Sequence, residues 1–421
     1  MLINGGALVL AASAELVGVA HPVIDAAIPQ YALLLTLLAI VPSLLGGFGY
    51  IFVPSLIGAP QMAFPRLDAF GLLLLASAIL LAIVGLFQSA PAPQTICTAV
   101  ALLLGGSNAL LLALSQLVTI INMRGTGVTL LKLPLMVWTQ LVAACVVVMV
   151  LPVLAAGTTV RLMLPASADI HEGWLWPLMW PLIYVMVLPA LGLIAEVLYP
   201  SVKASRKARA CAAYGLLIIA VFGVCAWMYA VLSAHGVQGL EWVLVGCAAL
   251  LLLALIPIAR NWREFGVAQL WALGALFVFA TGIAAELALL WLHRANGFSH
   301  FYYVLSLGCL FGGLAGLFCW FEPLLGRRLP RKLGLVQFLS GFIGVNFLLL
   351  PEHVLAVFPQ LPPLTTPQLW PVLFFIGTGL SALSIAVLAA MTSHALMSGE
   401  RPAGDFMSNW SAISEKTARA N

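Results

Sequence analysis

The side chains of this 421-residue chain that could hold a metal or move a proton are few: seven histidines, seven cysteines and fourteen acids. His21, His171, His235, His293, His353 and His394 fall at the ends of predicted helices or in loops, and His300 begins a predicted helix. The cysteines, at 97, 145, 211, 225, 247, 309 and 319, form no C-x-x-C pair and no metal-ligand spacing. Most lie in apolar stretches, where a thiol behaves as a small hydrophobe. Two acids also lie in apolar runs. Glu286 is deep in one, and a carboxylate at that depth is either a hydrogen-bonded contact between helices or a polar functional site. Glu196 stands near the end of another and is expected to reach interfacial water.

The elements that must position these groups are set by composition. With 63% hydrophobic and 8% charged residues, the chain is excluded from the soluble globular class. A bilayer core of about 30 Å takes about 20 helical residues, and apolar stretches of that length recur throughout. They predict an all-α, polytopic membrane bundle of about twelve helices, near 5–20, 29–53, 68–88, 95–122, 133–163, 172–199, 209–233, 237–259, 267–293, 300–325, 333–358 and 370–399. The first segment is short and weakly apolar, so it is either a truncated span or a re-entrant piece. One transmembrane domain is expected over 1–400, followed by a short tail over 401–421.

The net charge of +4 suggests an anionic partner until its distribution is read. After even-numbered helices stand Arg66; Arg124 and Lys132; Lys203, Arg206, Lys207 and Arg209; Arg260 and Arg263; Arg327, Arg328, Arg331 and Lys332; and Arg401, Lys416 and Arg419. Only Arg161 and Arg294 fall on the other side, which carries Asp25, Asp169, Glu172, Glu241 and Glu352. Under the positive-inside rule both termini are expected to be cytoplasmic, or on the matrix side in an organelle, and the basic loops are topology signals rather than a nucleic-acid surface.

Several runs have detailed wording. Gly46-Gly-Phe-Gly49 and Ile57-Gly-Ala-Pro-Gln-Met-Ala-Phe-Pro-Arg-Leu67 place a helix end and a rigid Pro/Gly turn at the membrane boundary. They resemble the second helix and following loop of subunit I of the haem-copper oxidases, the cytochrome c oxidase branch. Thr119-Ile-Ile-Asn-Met-Arg124, Leu133-Pro-Leu135, Val137-Trp138 and Leu151-Pro-Val-Leu-Ala155 resemble its fourth and fifth helices. Pro181, Tyr184 and Leu188-Pro189 resemble its sixth, His300-Phe-Tyr-Tyr-Val-Leu-Ser306 its tenth, and Phe342-Ile-Gly-Val-Asn-Phe347 with Pro351-Glu-His353 its eleventh. The matches keep their order over roughly 40 to 360. The family's twelve-helix core agrees with the count of apolar stretches.

The resemblance implies a low-spin haem, a high-spin haem and a copper held by six histidines. Most of those positions hold something else here. The family's tenth-helix His-x-His reads His300-Phe301-Tyr302, which keeps the high-spin haem position and puts Tyr302 at the low-spin one. The other low-spin position, counted back from Gly46, falls on Tyr31. On the sixth helix, where the family has His-Pro-Glu-Val-Tyr, the chain reads Trp180-Pro181-Leu182-Ile183-Tyr184: Pro and Tyr are kept and the copper ligand is not. The adjacent histidines of the seventh helix match Ala226-Trp227 in the best ungapped register. Neither indole nor alanine ligates copper. The acid that opens one proton pathway corresponds to Gln61 and its buried glutamate to Leu182. The eighth helix has no lysine, only Arg260 and Arg263 at its end, and the propionate-binding arginines are replaced near Phe358-Pro-Gln-Leu361.

These replacements imply a catalytically silent homologue with no cofactor, or at most one haem, on His300. Tyr31, Tyr302, Trp180 and Trp227 are expected to fill the space the cofactors take in the family, since a close-packed interior does not keep a void. The expected role is a structural or assembly subunit of a respiratory membrane complex, in a bacterial inner membrane, beside partners like oxidase subunits II and III and membrane lipid, and with no nucleic acid. Two alternatives stand beside it: a partial redox subunit with one haem on His300, and a small-ligand carrier or sensor anchored on Glu286.

Overall fold

A computed structural model describes residues 34, 38–88, 91–125, 128–130, 133–163, 175–202, 266–291, 307–357 and 369–398, with isolated positions between 214 and 228. Among these residues there are nine helices and no strand: α1 (Leu38–Ile57), α2 (Pro65–Leu86), α3 (Pro91–Asn122), α4 (Leu135–Met163), α5 (Leu175–Val202), α6 (Val267–Trp291), α7 (Gly308–Leu325), α8 (Arg331–Val357) and α9 (Leu369–Ser398). Six of them, α1 to α4, α7 and α9, are long and apolar enough to cross a bilayer. The chain is an integral membrane protein of the polytopic helical class.

Predicted and observed helices agree within a few residues, and the largest shift is instructive. The second predicted helix ends at 53, one residue before Pro54, which lacks an N–H and crowds the preceding turn. The helix instead runs through Pro54 and stops at Gly58, whose φ of 74° only glycine adopts at no cost. Buried membrane helices tolerate proline where neighbouring groups satisfy the freed carbonyls. Pro65 then supplies the first residue of α2, where a missing N–H is harmless. The predicted segments at 5–20 and 237–259 lie outside the described residues, as do most of 209–233 and the tail over 401–421.

The contacts divide the chain into two compact units, one of residues 20–192 and 207–251, the other of 1–19, 193–206 and 252–421. In the first, α2 and α3 are antiparallel: Asp68 meets Ser115, Gly71 meets Asn108 and Ala78 faces Gly105. α1 runs parallel to α3, with Leu38 against Gly105, Gly46 against Leu112 and Gly49 against Gln116. The turn after α1 is pinned to α3, because Ala63 N–H donates to Thr119 Oγ1 at 2.9 Å and Gly125 N–H to Ile57 O at 2.8 Å. Val53, Ile57, Ile120, Leu133 and Val137 close the core at that end.

In the second unit, α8 and α9 are antiparallel and approach to backbone contact. A Cβ on Gly344 would lie 2.7 Å from Ser381 N, and one on Gly377 would lie 2.8 Å from Gly344 O. Trp271 of α6 is buried between Phe311 and Phe338, edge-on to both, with ring centres 4.7 and 5.0 Å away. Its Nε1–H donates to Gln337 Oε1 at 3.0 Å, and Gln337 Nε2 donates to Ser384 Oγ at 3.2 Å. The indole, the amide and the hydroxyl thus tie α6, α8 and α9 together with each donor used. Outward faces are apolar: Phe70, Leu72, Leu73 and Leu80 on α2, and Val372, Phe375 and Leu383 on α9. In water such faces would aggregate; in a bilayer, lipid covers them.

Candidate functional site

The family-like run on the sixth predicted helix is carried by α5, which is helical without a break from Leu175 to Val202. Trp180 and Tyr184 are therefore four residues, about one turn, apart along the helix. Tyr184 is buried, as are Val185, Met186 and Leu188 around it. Eight residues on, Gly192 sets the register of this helix. A Cβ there would collide with the Thr139 side chain and stand 3.2 Å from Met136 Cα, so α5 rests directly on α4. Thr139 turns its hydroxyl back to Met136 O at 2.8 Å, which keeps it from competing for a partner on α5.

α1 is held by a second set of contacts that the sequence reading missed. Between Pro42 and Phe48 the helix widens into a π-turn, which displaces carbonyls from the ordinary ladder. Gln116 of α3 donates its side-chain amide to Leu45 O, and Gln140 of α4 donates to Leu44 O at 2.9 Å. Both amides converge on Gly49, where any Cβ would run into Gln116. The signal was present as two glutamines inside otherwise apolar runs, which in a membrane helix must find an internal partner.

Of the residues singled out from the sequence, Tyr184 is placed fully, Trp180 and Pro181 are placed on α5 by the backbone, and Glu286 is placed on α6 in the same way. Tyr31, Ala226, Trp227, His300 and Tyr302 lie outside the described residues. Trp180 stands one residue before Pro181 on a continuous helix, in the register where the resemblance asks for a copper-binding imidazole. An indole N–H only donates, so the residue at this position does not fit the metal. Among the described residues no three His, Cys, Asp or Glu side chains gather closely enough to hold an ion.

Long apolar helices packed side by side define the class: a polytopic helical membrane protein. The profile of the family described as "Cytochrome C and Quinol oxidase polypeptide I" matches residues 5–376, and the chain belongs to that family. It is 29% identical over 379 aligned positions to "Cytochrome c oxidase subunit 1" of Cereibacter sphaeroides, covering 78% of this chain and 66% of that one. It is 26% identical over 468 aligned positions to "Cytochrome c oxidase subunit 1" of Thermostichus vulcanus, covering 97% of this chain and 84% of that one.

Proposed function

We propose that this chain is a catalytically degenerate homologue of oxidase subunit I, serving as a structural or assembly subunit of a respiratory membrane complex. One observation carries the reading. α5 keeps the family's helix, proline and tyrosine, and is seated on α4 through Gly192, while Trp180 stands in the copper-ligand register. The scaffold position is kept and the coordinating group is replaced. Tyr31, Tyr302, Ala226 and Trp227 at the other ligand positions support the same reading. It binds no copper, and any haem it holds is a single one on His300.

The partners this reading asks for are subunits like oxidase II and III. The membrane this reading asks for is a bacterial inner membrane, and the distribution of Lys and Arg supports cytoplasmic termini there. The test is purification of the intact complex, with an optical spectrum, metal analysis and mass spectrometry of its subunits. The expected result is co-purifying subunits without stoichiometric haem and copper. A Soret band with one copper and two haems per chain would overturn the reading.

A further inference from the structure

α7 and α8 both pack on α6, in opposite directions. Gly308 lies against Phe279 and Phe311 against Trp271, which sets α7 antiparallel to α6. Gly334 lies against Val267 and Phe342 against Gly274, which sets α8 parallel to it. The chain therefore turns back over residues 326–330, at the level where the apolar helix α7 leaves the bilayer. Four cations crowd that turn: Arg327, Arg328, Arg331 and Lys332, within six consecutive residues. Glu322 is the only acid on α7 and in the turn, and it pairs with Arg328 at 2.8 Å. Arg331 and Lys332 are exposed, and among the described residues neither has an ion-pair partner.

Beyond these cations α8 has two faces. Gly334, Gln337, Gly341 and Gly344 are buried, while Leu333, Val336, Leu339, Ile343 and Phe347 are exposed, at the spacing of three and four residues that keeps to one side of a helix. Lys332 stands four residues before Val336, so a positive charge heads the apolar stripe. The combination selects the occupant. A soluble anion has no use for the stripe, and an uncharged lipid has none for two unpaired cations. A zwitterionic headgroup brings an ammonium that the same cations repel. A phospholipid of net negative charge uses both features, its phosphate against the cations and an acyl chain along the stripe. We propose that the start of α8 is a binding site for an anionic phospholipid, with Arg331 and Lys332 at the headgroup and Val336, Leu339 and Ile343 along the chain. The site asks only that the chain span a membrane, and it is independent of whether a haem is bound.

The test reconstitutes the purified full chain, with its co-purifying subunits, into phosphatidylcholine vesicles. These carry a trace of either phosphatidylglycerol or phosphatidylcholine with a photoreactive diazirine in the acyl chain, and the labelled peptides are mapped by mass spectrometry. Phosphatidylglycerol is expected to label residues 333–347 roughly thirtyfold more than phosphatidylcholine, the scale set by two cations. Arg331→Gln with Lys332→Gln should bring the two lipids level, and inorganic phosphate should not compete. Equal labelling in the wild type, or a preference that survives the double variant, overturns the proposal. So does an absence of label from both lipids, which would mean that a protein covers the stripe. Should the double variant not insert, the wild type decides alone: its preference must fall as salt screens the headgroup, and one that is the same at low and high salt overturns the proposal equally.

Discussion

Gln116 and Gln140 stand on different helices and grip neighbouring carbonyls, Leu45 and Leu44, of the same π-turn. The turn is thus clamped from two sides, with Gly49 as the gap through which both amides reach. Gln140→Leu should lower stability by about 1 kcal/mol, the scale of a hydrogen bond inside a membrane bundle. Gly49→Ala should cost more, because it displaces Gln116. Thermal unfolding in detergent, followed by tryptophan fluorescence, checks both. In a Gln116→Ala background the Gly49→Ala penalty should shrink, a coupling of roughly 0.5–3 kcal/mol.

Trp271 gives the second prediction. Trp271→Ala removes a buried ring from between Phe311 and Phe338 and should cost about 3–5 kcal/mol. Trp271→Phe keeps most of the packing and leaves Gln337 Oε1 without its donor, so it should cost about 1–3 kcal/mol. Adding Gln337→Leu to Trp271→Phe should recover part of that loss in the same unfolding assay.

The contact between α8 and α9 is backbone on backbone at Gly344 and Gly377. Neither obstacle is a flexible side chain, so Gly344→Val or Gly377→Val should force the helices apart and cost at least about 1–3 kcal/mol. Protease sensitivity of the membrane-embedded protein should rise in both variants. Gly379→Ala, which meets nothing within 4 Å, is the neutral control.

Restoring one coordinating group should not restore a cofactor. Trp180→His leaves Ala226 and Trp227 in place, so metal analysis of the purified variant should find no retained copper. His300→Ala should leave the optical spectrum of the complex unchanged. Loss of a haem band in that variant would favour the single-haem alternative.

Orientation has its own check. A membrane-impermeant thiol reagent applied to intact cells should label a cysteine introduced at Glu172 or Glu241 and spare one introduced at Arg328. Labelling at Arg328 alone would invert the topology. Arg328 is a fair probe because it is exposed, with an ion pair to the part-exposed Glu322 at 2.8 Å.

Helix existence was readable because an apolar run of bilayer length has one stable solution. The run at 133–163 returned as Leu135–Met163 and that at 333–358 as Arg331–Val357. The end of α1 lies at Ile57 rather than 53, since the helix continues through Pro54, and the π-turn left no mark in the apolar pattern. Residues that act across helices were the least legible. Gln116, Gln140, Asn108 and Gln337 are polar exceptions in apolar runs; the partners of the three glutamines are 47 to 96 residues away, and the Asn108 amide nitrogen has none among the described residues. At the family-like positions the residue types were legible, and for Tyr184 the burial followed from its place on α5.

The bond between Asp68 and Ser115 bears on how the chain is made. As α2 leaves the ribosome its acid stands just inside the membrane boundary with no partner, and the hydroxyl it needs lies on the next helix to be synthesised. Only residues 87–90 separate α2 from α3, so the two can enter the bilayer as one hairpin with the carboxyl already covered. An insertion that lengthened this connection would leave the folded seam unchanged and delay its closure. The defect would then show in the yield of inserted protein rather than in its stability.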